Sequence, residues 1–116
     1  MIAGFIVQGS APKRVLIRAA GPSLANLGVL NTLPNPQVEL HDNTGTIGRN
    51  DNWQITQIGG VVTTDQVAEI QSSGLAPNDP AESAIIATLP PGSYTAIVRG
   101  VNNNTGNALV EVYASP

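Results

Sequence analysis

The sequence predicts an all-β chain, an antiparallel two-sheet β-sandwich of jelly-roll-like or immunoglobulin-like form with about eight strands and one short helix. Nine prolines, twelve glycines and frequent asparagines break the 116 residues at short intervals, and the runs between them are rich in Val, Ile and Thr. That is the spacing of strands and turns. Apolar residues make up 41% of the chain but aromatics only 3%, so the core must be built from branched aliphatics and alanine, which suit a pleated surface. One domain, 1–116, is expected, because a chain of this length buries roughly two-thirds of its unfolded surface around a single core.

The elements follow in order. Residues 2–8 are almost continuously apolar and 14–19 alternate Val15 and Ile17 against Leu16 and Arg18, so both form strands. Ala20-Gly21-Pro22-Ser23 is a tight bend; it lacks the glycine and lysine spacing of a phosphate loop. Residues 37–42 place Val38 and Leu40 on one face and Glu39 and His41 on the other, and Asn43-Thr44-Gly45 turns the chain into 46–49 as a hairpin. Between Thr63 and Gly74 lie a candidate N-cap (Thr63), a capping-box Gln66, Val67 and Ile70 three apart, and a glycine suited to a left-handed C-terminus, which together predict about two turns of helix. Strands at 83–89, 93–100 and 107–113, joined by Pro90-Pro91-Gly92 and Asn102-Asn103-Asn104-Thr105-Gly106, are expected to form a meander. The core should hold Phe5, Val7, Val15, Ile17, Leu24, Val38, Leu40, Ile70, Ile85, Ala87, Tyr94, Ala96, Val98, Val110 and Val112.

Composition narrows the function classes. Five Lys and Arg against eight Asp and Glu leave a net charge of −3, with Lys13 the only lysine, so no basic field draws phosphates and nucleic acid is not an expected partner. No apolar stretch approaches the ~20 residues that span a bilayer, so membrane insertion is not expected. The absence of cysteine removes disulfides, thiolate sites and thiol catalysis. His41 is the only histidine and no Gly-x-Ser-x-Gly elbow is present, so nucleophilic catalysis has no base in a recognisable setting. The chain is expected not to be an enzyme.

Particular residues go beyond periodicity. Lys13-Arg14-Val15-Leu16-Ile17-Arg18-Ala19-Ala20-Gly21-Pro22-Ser23-Leu24, Val38-Glu39-Leu40-His41-Asp42, Asn50-Asp51-Asn52-Trp53, Glu82-Ser83-Ala84-Ile85-Ile86-Ala87-Thr88-Leu89 and Pro91-Gly92-Ser93-Tyr94-Thr95-Ala96-Ile97-Val98-Arg99-Gly100 together resemble a β-sandwich module that recurs near the C-termini of large secreted and cell-surface proteins of environmental bacteria. The middle and C-terminal parts are also similar to the bacterial pre-peptidase C-terminal domain. The resemblance implies a non-catalytic accessory module, extracellular or at the cell surface, with calcium bound in some relatives. It implies no reaction. Residues 55–64 depart from that pattern as an insertion, which could present a contact surface.

One histidine and no cysteine leave zinc without ligands, whereas calcium takes carboxylate, amide and backbone oxygens. Asp42, Asn50, Asp51 and Asn52, on segments joined by one hairpin, could bring oxygens to one end of the sandwich, with Asp79 and Glu82 joining from a later loop. The same residues are also ordinary turn formers that bond local amides. Trp53, the one large aromatic in a polar loop, could stack on a sugar ring or could cap the edge of the core. Arg18 and Arg99, inside apolar strands, should face solvent or pair with a carboxylate such as Glu39 or Glu111.

Three functions share this fold. The first is an accessory or structural module whose partners are other domains of a parent protein. The second is a subunit of an extracellular fibre or surface layer that pairs strands with copies of itself, motivated by the apolar N-terminal strand and a charged fraction of only 11%. The third is a calcium- or carbohydrate-binding module.

Overall fold

Period-two burial sets the faces of the strands. In β3 (Pro36–Asp42), Val38 and Leu40 are fully buried while Glu39 and His41 look outward. In β6 (Gly92–Gly100), Tyr94, Ala96 and Val98 face the same core. The computed structural model describes residues 1–114; the expected domain, 1–116, extends two residues beyond them. The other strands are β1 (Ile2–Val7), β2 (Lys13–Ala20), β4 (Gly45–Asn50), β5 (Ser83–Leu89) and β7 (Leu109–Ala114). They form a four-stranded sheet of order β1-β6-β3-β4 and a three-stranded sheet of order β5-β2-β7, every pair antiparallel. Among the described residues seven strands take the place of the eight or so expected. Among the described residues no helix is long and apolar enough to cross a membrane.

The inner faces meet in one apolar cluster that includes Val7, Ile17, Leu40, Ile85, Ala96 and Val98. Of the residues placed in the core from sequence, Phe5, Val110 and Val112 are only partly buried and pack against its margin, because β1 and β7 are edge strands. Phe5 nevertheless stacks on its cross-strand partner Tyr94, with ring centroids 5.6 Å apart.

The expected meander does not form. β5 belongs to the three-stranded sheet and β6 to the four-stranded one, while β7 pairs with β2. Pro90-Pro91 is the physical reason. A two-residue hairpin favours φ > 0 at its central positions, and proline holds φ near −65° and offers no N–H. The chain therefore arches from one sheet to the other, and the Tyr94 hydroxyl pins the arch by donating to the Pro90 carbonyl at 2.6 Å.

A second apolar cluster covers the outer face of the three-stranded sheet. Leu16, Ala84 and Ile86 pack there against Trp53 and Ile70, so β2 and β5 are buried on both sides and read as nearly continuous apolar runs. The helix that helps cover this face, α1 (Val67–Ser72), is shorter than two turns. Thr63 does not cap it. The Val67 N–H instead donates to Asp65 Oδ1 at 3.0 Å, and Asp65 is held by the Thr56 hydroxyl. Gly74 closes the helix with φ +75°, as its sequence position suggested.

Residues 59–62 fold along β4. Gly59 and Val62 form a narrow bridge, Val61 N–H donates to Ile47 C=O at 2.8 Å, and Val62 enters the main core. Gly60 is required at its tip: φ is +57°, and a Cβ there would lie 2.1 Å from the Ile47 oxygen.

Candidate functional site

The β3–β4 hairpin separates the acids that were expected to converge. Asp42 pairs with Gly45 at the turn, whereas Asn50 pairs with Val38 at the far end. Five residue-to-residue steps of strand, about 16 Å, separate Gly45 from Asn50. Asp42 therefore stands apart from the other five candidates. Its Oδ1 accepts the Thr44 N–H at 2.8 Å and the Thr44 hydroxyl at 2.5 Å, a turn of the kind aspartate makes unaided.

At the other end the segments that carry the remaining candidates are joined chiefly through their backbones. Trp53 N–H donates to Glu82 C=O, Glu82 N–H donates to Asp79 C=O, and the Ser83 hydroxyl bridges to the Asp51 and Pro36 carbonyls. Asn52 closes its own turn by accepting the Ile55 N–H at 2.9 Å. The Asn35 amide, oriented to satisfy its neighbours, donates to Ala81 C=O at 3.0 Å and Asp51 Oδ1 at 3.2 Å. Asp79 Oδ1 accepts the Ala81 N–H at 2.9 Å.

Glu82 is the centre of this arrangement and has no solvent exposure. Its Oε2 accepts the Gly21 N–H at 2.7 Å, the Ser23 N–H at 3.0 Å and the Ser23 hydroxyl at 2.6 Å. The carboxylate thus cradles the bend that leads into a 3-10 turn over Pro22–Leu27. Gly21 fits because a Cβ would lie 2.2 Å from the Leu33 oxygen. Glu82 Oε1 is buried and makes no hydrogen bond among the described residues.

Two further side chains act as strand partners, a role with no visible signal in the sequence. Asn50 Oδ1 accepts the Ala84 N–H at 3.1 Å, while Gln66 accepts the Ile86 N–H at 3.0 Å and donates to its carbonyl at 2.6 Å. Both satisfy backbone groups on the outer edge of β5 that would otherwise be buried without partners.

Beside the Glu82 bend lies a cleft of about 230 Å³ whose walls include Arg18, Ser23, Asn26, Glu82 and Glu111. It falls below the ~300–1,000 Å³ of ordinary small-molecule sites. Its one cation is engaged: Arg18 donates from Nε to Glu111 at 2.9 Å, from Nη1 to Leu75 C=O at 3.1 Å and from Nη2 to the Tyr113 hydroxyl at 3.1 Å. Arg99 lies 3.6 Å from Glu39, so both arginines take the carboxylate partners expected of them. His41 Nε2 lies 3.1 Å from Glu39 and 3.3 Å from Thr46 Oγ1. Among the described residues no three His, Asp or Glu side chains group as metal ligands. The Trp53 indole is 7% exposed, so its face is occupied by core side chains rather than open to a sugar.

Burial alone would raise Glu111, but the hydrogen bonds from Arg18 and Tyr113 and the Arg18 charge hold it below the ordinary 4.5. Glu39 is lowered likewise, burial being outweighed by His41, Arg99 and Arg49. The Thr44 hydroxyl and amide lower Asp42, and the Val67 amide and Thr56 hydroxyl lower Asp65. Each carboxylate titrates lower in the folded chain than in the unfolded one. Each therefore contributes stability that is present above its unfolded value and is lost as pH falls through the folded one. Thermal melts should give a flat Tm from neutral pH down to about 5 and a decline beneath 4.5, shallower in Glu111→Gln. A Tm at pH 3 equal to that at pH 7 would refute this account.

No family model matches the chain, and no curated protein or solved structure matches it.

Proposed function

We propose that this chain is a non-catalytic accessory module of a larger secreted or cell-surface protein, built to be a stable unit beside other domains. One observation carries the reading. The polar side chains gathered at the Glu82 end are occupied in holding loops: Glu82 binds the Gly21 bend, Asp79 its own turn, and Asn50 the edge of β5. Arg18 is likewise engaged on all three nitrogens. Such groups position backbone. The resemblance of 13–24, 38–42, 50–53, 82–89 and 91–100 to modules of secreted bacterial proteins supports the same reading and the extracellular location that goes with it.

The discriminating experiment is a pair of thermal melts at one protein concentration, in about 1 mM calcium and in chelator. A ligand present at about 100 times its Kd adds ~2.7 kcal/mol, which at this size raises Tm by several degrees. The accessory module melts at the same temperature in both buffers. A rise of about 4 °C or more with calcium would replace it with the ion-binding reading and direct attention to Asp51, Asp79 and Glu82.

A further inference from the structure

β1 is an uncovered edge. The outer edge of β5 is capped by Asn50 and Gln66, and β4 is partnered by Val61. β7 carries the charged Glu111, and the approach to it is bridged by Thr32. β1 has neither a charge nor a cover: its sequence is Ile-Ala-Gly-Phe-Ile-Val, with Ile2 70% and Ile6 67% exposed. Unpaired, uncharged edges of this kind are what folded proteins ordinarily avoid.

The hydrogen-bond phase of β1 is fixed by the residue just before it. Met1 N donates to Val98 O at 3.2 Å and Met1 O accepts the Val98 N–H at 2.8 Å, so these two residues exchange both bonds. Because such pairs alternate along an antiparallel ladder, Ala3, Phe5 and Val7 turn their backbone groups toward β6. Ile2, Gly4 and Ile6 turn theirs outward. Among the described residues nothing bonds to them.

We propose that two copies of the chain pair antiparallel through β1 about a two-fold axis at Gly4, joining their four-stranded sheets into one continuous sheet. The strand is self-complementary about that residue. Gly4 exchanges both bonds with its own copy, and Ile2 exchanges both with Ile6, so every outward N–H and C=O finds a partner. The side chains agree with the backbone: Ile2 lies opposite Ile6 on the outer face, and small Ala3 lies opposite large Phe5 on the inner one. No charge meets a like charge. The contact is isologous and closes at two copies. It goes beyond the accessory-module reading and does not depend on it.

Sedimentation velocity in low salt, over a series from micromolar to about millimolar chain, tests the pairing. Wild type should pass from monomer to dimer. Ile2→Lys with Ile6→Lys sets lysine opposite lysine across the axis and should weaken the dimer at least about tenfold. Ile2→Lys with Ile6→Glu sets lysine opposite glutamate at both places and should restore it. Both sites are exposed, and unchanged melts at dilution, where the chain is monomeric, confirm that the variants fold. A wild type that stays monomeric, or that grows into open-ended assemblies, overturns the proposal. So does a dimer indifferent to the double lysine, and a Lys/Glu variant as dissociated as the double lysine overturns the Gly4 register.

Discussion

Val98→Asp leaves the chain unfolded at room temperature. Val98 is 4% exposed, sits opposite Val38 in the middle of the four-stranded sheet and faces the main core. An aspartate there buries a carboxyl among aliphatic side chains with no donor aimed at it. Charged or neutral, it costs several kcal/mol, against a total stability of about 5–15 for a domain of this size. Circular dichroism should show loss of the β signal and of a cooperative melt. Thr88→Asp, on an exposed position of β5, is the control and should melt within a few degrees of wild type. A Val98→Asp protein that stays soluble and melts cooperatively would show that the two sheets do not pack as described.

Glu82→Ala should cost roughly 3–5 kcal/mol. Removing the carboxylate strands the Gly21 and Ser23 amides and the Ser23 hydroxyl together. Hydrogen bonds to a charged acceptor contribute about 1.5–3 kcal/mol each, and losses at one acceptor are not additive. Burying a charge is itself expensive, so replacing a buried ion pair by apolar residues can be neutral. Here two of the three partners are backbone N–H groups that no substitution removes, and the loss dominates. Glu82→Gln keeps one oxygen for these donors and should lose about half as much. Urea unfolding with an unchanged m value is the measurement. A Glu82→Ala midpoint within error of wild type would mean that water replaces the carboxylate at the bend.

Local pattern made much of this molecule legible. The alternation of Val38 and Leu40 against Glu39 and His41 is a property of the chain, because side chains on a strand alternate whatever they pack against. So are the turn at Asn43-Thr44, the helix stop at Gly74 and the cross-strand demand of Arg18 for a carboxylate. The candidate site was legible only in part. The residue types single out Asp42, Asn50, Asp51, Asn52, Asp79 and Glu82 as an oxygen-rich group, but in the described residues no three acidic side chains of the group converge. Proximity in sequence across a turn groups Asp42 with the others, but a hairpin carries the ends of its strands away from its turn.

The amino-acid sequence by itself determined that this is an antiparallel all-β chain with a core of aliphatic residues and a short helix, since turn residues and period-two burial act over a few neighbours. Only the tertiary structure decided which sheet each strand joined. It also decided that Pro90-Pro91 arches between sheets, that Leu16, Ile86 and Trp53 make a second core, and that Glu82, Asn50 and Gln66 satisfy backbone groups far away in sequence. Those outcomes depend on which buried N–H groups remain unpaired once the sheets have stacked, and that is a property of the assembled fold.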